Sequence, residues 1–232
     1  LGANNISNPK DGKAIVTPSQ DMVLGNCYLT IEKADEPNEG KVYKNSNEIL
    51  MAYQRHEITL HTRVAVPVNS FRHKIFTDGQ KNKYLVTTCG KLIFNEILPD
   101  TYPYINEGSK ENIEGITPSK YFLEMGTDIK AAIKEMPLGQ PFVKKTLGQI
   151  IAQIFKRYKT TETSVMLDKL KDLGFKYSTL SGISISITDF KESVNKPKVL
   201  SESQDLVDQV NKQFKRGLIT EDERYNKVIS IW

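Results

Sequence analysis

A chain of 232 residues with 32 Lys plus Arg against 28 Asp plus Glu carries a formal charge of +4, which is mildly basic, and its length suits one large or two small domains. Only 38% of residues are apolar, against roughly 45–50% in an ordinary globular domain, and no run of about 18 apolar residues is present to cross a bilayer. The opening Leu1-Gly2-Ala3-Asn4-Asn5 lacks Met, a basic stretch and an apolar stretch, and the last residue is an uncapped Trp232, so the chain reads as an internal piece of a longer protein rather than one led by a signal peptide.

Along the chain, Asn8-Pro9-Lys10-Asp11-Gly12 reads as a turn, Ala14-Ile15-Val16 as a short strand, and Met22-Val23-Leu24-Gly25 as an apolar turn. Residues 34–47 are polar and turn-rich, and Asn47 is positioned to cap a short helix to Gln54. Between Thr59 and Val68 apolar residues recur every second position, which predicts a half-buried strand over 58–68 with His61 on its solvent side. Thr77-Asp78-Gly79-Gln80 has capping-box spacing, yet the β-branched run Tyr84 to Cys89 predicts a strand, followed by a helix from Gly90 to Ile97. Residues 102–142 carry weak signals and read as an irregular insertion with a helical fragment near 128–136.

Val143, Leu147, Ile150, Ile151, Ile154 and Phe155 fall at helical spacing, and residues 141–160 hold five basic residues and no acid. That stretch is a solvated face or, at Lys144 and Lys145, a phosphate or nucleic-acid contact. A second helix is expected from Glu162 to Leu173 with Gly174 past its end, then a strand over Gly182 to Ile187. Ser201-x-x-Gln204 and Thr220-x-x-Glu223 have capping-box spacing, and Gly217 separates two apolar stripes, predicting an antiparallel helical hairpin with its tip over Phe214 to Asp222. The fold class is therefore α+β, a mixed helix and short-strand part followed by the hairpin.

Cys27 and Cys89, 62 positions apart, suit free thiols in a reducing cytosol, with a single pairing between them left open. His56-Glu57-Ile58-Thr59-Leu60-His61 is one residue longer than a zincin motif, and at helical spacing its two imidazoles diverge by about 140°. No phosphate-cradling glycine loop and no nucleophile elbow occurs, so the residues define no self-contained active site.

Two long stretches carry a resemblance. Leu1-Gly2-Ala3-Asn4-Asn5-Ile6 through Pro18-Ser19-Gln20-Asp21-Met22-Val23-Leu24-Gly25 resembles the largest subunit of bacterial DNA-directed RNA polymerases just downstream of its metal-binding loop. Phe214-Lys215-Arg216-Gly217-Leu218-Ile219-Thr220-Glu221-Asp222-Glu223-Arg224-Tyr225-Asn226-Lys227 and on to Trp232 is similar to the rim-helix hairpin of that subunit. The resemblance implies a pore-like domain over 1–190, with the insertion at about 102–142, and the start of a funnel domain over 191–232. It places Asn4, Asn5, Ser19, Gln20 and Asp21 near the inner end of the secondary channel. It also makes the tip, Lys215, Arg216, Gly217, Leu218, Ile219, Thr220, Glu223, Arg224, Tyr225, Asn226 and Lys227, a docking site for transcript cleavage factors.

The resemblance further implies a cytoplasmic, nucleoid-associated enzyme whose partners are the α, β, ω and σ subunits, template DNA and RNA. No catalytic residue and no cofactor is implied in this stretch. The Mg²⁺ of nucleotidyl transfer sits on three aspartates outside it, and Zn²⁺ is bound elsewhere in the subunit. In some members an alarmone, ppGpp, binds beside the hairpin; Tyr225, Asn226 and Lys227 match, whereas Ser230 and Asp172 replace an Asp and a Tyr. Two other readings compete: a freestanding interaction module that uses its hairpin, and a metal hydrolase built on His56 and His61.

Overall fold

The structure is a computed structural model that describes residues 5, 6, 8, 10 and 15–232. The turn and strand expected over residues 8–16 fall mostly outside these, and so does Asn4. The chain divides into two compact units, Leu1–Ile183 and Ser184–Trp232.

The first unit is built on a three-stranded antiparallel sheet in the order β1-β2-β3, from Arg63–Pro67, Lys83–Thr88 and Phe122–Glu124. Val64 and Val66 enter the main core with Leu85, Phe94, Tyr104 and Phe142, while Ala65 and Val86 pack on the other side with Ile129 and Ile133. Those two isoleucines come from α5 (Ile129–Glu135), capped by Asp128, whose Oδ1 accepts from the Lys130 and Ala131 amides. β1 is therefore buried on both faces, not one. Residues 58–62 precede the strand as turn and coil, and His61 is buried rather than solvent-facing, with its Nδ1 3.1 Å from the Ile31 carbonyl and its ring edge-on to Tyr28.

α1 (Asp21–Leu29) replaces the expected apolar turn. α2 (Ser46–Gln54) is capped two residues earlier than expected, by Asn45 rather than Asn47, with the Asn45 Oδ1 accepting from the Glu48 amide at 3.0 Å. α3 (Cys89–Glu96) follows β2 directly, as the β-branched run and the apolar helix after it predict, with Thr88 as its N-cap. Thr77 to Gln80 forms a turn and starts no helix.

Residues 102–142 are largely irregular, with α4 (Lys110–Glu114), a 3-10 turn at Ser119–Tyr121, β3 and α5 regular, yet they supply core residues Tyr102, Tyr104, Ile105 and Ile113. Three buried asparagines do the work that a ladder does elsewhere. Asn95 bonds both the amide and the carbonyl of Ile105 at 2.8 Å. Asn112 Oδ1 accepts from the Asn106 and Glu107 amides while its Nδ2 donates to the Tyr104 carbonyl. Asn106 donates to the Val86 carbonyl, tying the segment to β2.

α6 (Lys144–Ser181) merges the two helices expected over 143–155 and 162–173; the break between them survives only as a kink at Lys159, with φ 62° and ψ −157°. Gly174 is not a helix end. The helix runs on until Gly182, which takes the left-handed conformation at φ 61°. Gly174 is instead a contact point: a Cβ on Gly25 of α1 would lie 1.8 Å from its carbonyl oxygen, so α1 and α6 cross with their backbones touching. Asn26 donates across that crossing to the Leu170 carbonyl at 3.2 Å.

In the second unit the strand expected over 182–187 is absent, and Ile187 stays 90% exposed with no sheet edge to receive it. α7 (Lys196–Lys215) begins five residues before Ser201, with Pro197 in its first turn, where proline's fixed φ favours a helix start. α8 (Glu221–Ile231) completes the hairpin.

Candidate functional site

The leading edge of α1 carries Ser19, Gln20 and Asp21, all exposed, as is Asn5. Gln20 occupies the N-cap position with φ 47° and ψ −123°, a conformation that costs a non-glycine residue about 1–3 kcal/mol. Its side chain makes no capping bond, so the strain serves to turn the chain and leaves the amide directed outward. Asp21 lies in the first turn, where the helix dipole favours a carboxylate. This edge is held rigidly from behind, because the next turn of α1 is locked against α6 through Gly25 and Asn26.

The start of α6 presents Lys144 and Lys145, both exposed, in a first turn without an acid and behind an N-cap, Val143, that offers no side-chain bond. Two cations beside uncapped amide groups make a surface that favours a phosphate. The five-residue basic stripe is not all available: Arg157 donates to the Glu114 carbonyl and stacks 5.0 Å from the Tyr102 ring centre.

The hairpin tip is built by two successive caps. α7 ends in a Schellman arrangement, with the Leu218 amide on the Gln213 carbonyl at 3.1 Å, the Gly217 amide on the Phe214 carbonyl at 2.8 Å, and Gly217 at φ 74°. Ile219 leads into Thr220, whose Oγ1 accepts from the Glu223 amide at 3.3 Å while Glu223 Oε2 accepts from the Thr220 amide at 2.9 Å. Arg224 bonds Glu221 and lies 5.5 Å over the Phe214 ring, closing the turn. Lys215, Arg216, Asn226 and Lys227 are left exposed, with Leu218 at 69% and Tyr225 at 61%. The α8 stripe of Tyr225, Ile229 and Trp232 is likewise mostly exposed, so it does not bury as an inward face.

Residues 5–190 match the family described as RNA polymerase Rpb1, domain 3. The chain belongs to that family. Over all 232 residues it is 58% identical to the DNA-directed RNA polymerase subunit beta' of Bacillus subtilis, 56% to that of Geobacillus kaustophilus and 55% to that of Exiguobacterium sibiricum. The chain spans 19% of the length of each of these relatives. As an Rpb1 domain 3 it is an α+β chain, as expected from its sequence, and no helix among the described residues is long and apolar enough to cross a membrane.

Two features of this domain escape sequence reasoning. Lys91 and Glu32 form an ion pair 0% and 4% exposed, with Glu32 Oε2 also accepting from the Gly139 amide at 2.7 Å. Burial lowers the Lys91 ammonium's affinity for its proton, and the Glu32 charge opposes that shift. The signal was a lone lysine inside the apolar run Cys89 to Phe94. The other feature is the cavity around Lys74, whose residues are scattered over three separate segments of the chain.

Proposed function

We propose that this chain is the portion of an RNA polymerase β′-type subunit that lines the secondary channel and offers a docking hairpin, in transcription of DNA into RNA. The observation that carries the reading is identity of 55–58% over the whole chain with subunits of that name. On this reading the first unit is the pore-like domain and the second opens the funnel domain. Asn5, Ser19, Gln20 and Asp21 face the inner channel, where amides and a carboxylate bond ribose hydroxyls and base edges without gripping a triphosphate. Lys144 and Lys145 are the phosphate-facing pair.

Nucleotidyl transfer then belongs to the assembled enzyme with its α, β, ω and σ subunits, and the Mg²⁺ and Zn²⁺ lie on other parts of it. Among the described residues no group of three or more His, Cys, Asp or Glu side chains is gathered around a point where an ion would sit. On the same reading this chain orients and admits the nucleotide.

Charge alternation around the exposed tip suits orientation and association rate of a docking factor. Arg216 is the clean probe, since it is exposed and outside both capping bonds, whereas Glu223 is a member of the Thr220 cap. Arg216→Glu in the assembled polymerase is expected to weaken stimulation by a transcript cleavage factor about tenfold, near 1.4 kcal/mol, while basal elongation stays within twofold. Glu223→Gln keeps the capping box and tests the charge alone. Equal losses of stimulation and elongation would refute docking at the tip.

A further inference from the structure

A cavity of about 690 Å³ lies where the loop before α2, residues 69–74 and the end of α3 meet, and its wall includes Lys44, Arg72, His73 and Lys74 together with Glu96 and Asp100. Lys74 is half-buried, and its Nζ lies 3.1 Å from the carbonyl oxygens of both Leu98 and Pro99. Among the described residues it forms no ion pair, although two carboxylates share the cavity. A smaller recess of about 80 Å³ adjoins the same amine, with Phe71, Leu92 and Tyr104 as its apolar walls and Ser46, Asn95 and Glu96 also lining it.

We propose that Lys74 is an acylation site whose donor is a small acyl phosphate. The amine, donating two N–H groups to Leu98 and Pro99, keeps a lone pair that must point away from both carbonyls. Lys44 and Arg72 supply cations for the donor's phosphate, and the apolar recess takes the acyl methyl group. Burial lowers the Lys74 ammonium to about 8, against the opposing pull of Asp100 and Glu96, so a sizeable share is free amine at neutral pH. Burial also raises the Glu96 carboxyl, and the neighbouring Lys74 opposes that shift.

In the transfer, Nζ attacks the acyl carbon and a C–N bond forms. The carbon–oxygen bond to phosphate breaks, its electron pair stays on the phosphate oxygen, and the amine's proton passes to that phosphate, released as monohydrogen phosphate. The product amide has one N–H where the amine had two, and no charge. It can hold only one of the two carbonyls after α3, so the modification changes how Leu98 and Pro99 are anchored.

The test treats the assembled polymerase containing this chain with acetyl phosphate and follows each lysine by peptide mass spectrometry. At pH 7.5 Lys74 is expected to acylate roughly tenfold faster than Lys212, which is exposed and outside the cavity, because a free-amine share above that of an ordinary lysine outweighs its lower intrinsic nucleophilicity. Its rate should level off above about pH 8. Arg72→Ala should slow the reaction with acetyl phosphate and leave it unchanged with uncharged N-acetylimidazole, which also reports that the cavity is intact. Labelling of Lys74 no faster than Lys212 would overturn the site, and equal slowing with both donors would overturn the acyl phosphate as its partner.

Discussion

Burial decides the behaviour of several titratable side chains in the first unit. His61 is held neutral by desolvation, with Lys33 adding to the effect and Ile31 and Glu36 opposing it, so its folded pKa lies below the ordinary 6.5. Unfolded, it takes up a proton as pH falls past that value while the folded form resists, so the stability it allows is present above about pH 6.5 and is lost progressively below. Urea unfolding at pH 7.5 and 5.5 should show a drop that shrinks in His61→Gln; an unchanged drop would place the titrating group elsewhere. The Lys91–Glu32 pair calls for a different test, because removing one partner strands the other in the core. Lys91→Met should cost about 3–5 kcal/mol, and adding Glu32→Gln, which still accepts from the Gly139 amide, should restore much of it. If the double variant loses as much as the two single losses summed, the pair is not coupled.

At the scale of elements, the crossing of α1 and α6 is the contact that most depends on residue identity. Gly25→Ala puts a methyl 1.8 Å from the Gly174 carbonyl oxygen, and neither helix can yield without breaking the Asn26 bond to Leu170. A loss of about 3 kcal/mol or more is expected in denaturant unfolding. Gly148→Ala, in the same helix α6 with nothing within 4 Å of the new methyl, should instead gain about 0.5–1 kcal/mol. Similar losses at both sites would mean that the crossing is not close-packed. This crossing also shows why some elements could be read from residues alone and others not. The Tyr84–Cys89 strand, the α3 helix and the Thr220 cap follow local rules, and each forms where those rules put it. α1 has no apolar period because two of its three buried positions are a glycine and an asparagine, chosen for a partner 144 residues away. Gly174 looks like a helix end for the same reason. Ile183, Ile185 and Ile187 alternate like a strand, but alternation without a sheet edge to bond leaves only an exposed segment. The hairpin tip, made of caps, was readable almost entirely; the Lys74 cavity, assembled from three separate segments of the chain, was not.

At the scale of the molecule, the proposed channel role and the fold make separable demands on Gln20. Its backbone, at φ 47° and ψ −123°, suits glycine, and its side chain bonds nothing that caps α1, so the fold gains little from an amide there. The channel reading, by contrast, needs the amide and is indifferent to how the backbone is strained. Gln20→Ala and Gln20→Gly both remove the amide, but only glycine relieves the backbone. In the assembled polymerase both should slow nucleotide addition or alter backtracking by about 1–2 kcal/mol in transition-state terms, the size of a lost hydrogen bond. Unfolding should separate them, with glycine about 1 kcal/mol the more stable. Single-turnover addition measured beside denaturant unfolding reads both quantities on the same variants. If rate follows stability, so that glycine restores addition and alanine does not, Gln20 acts through the turn ahead of α1 and the channel assignment of this edge fails. If both variants slow addition equally while differing in stability, the amide itself meets the nucleotide or the RNA end.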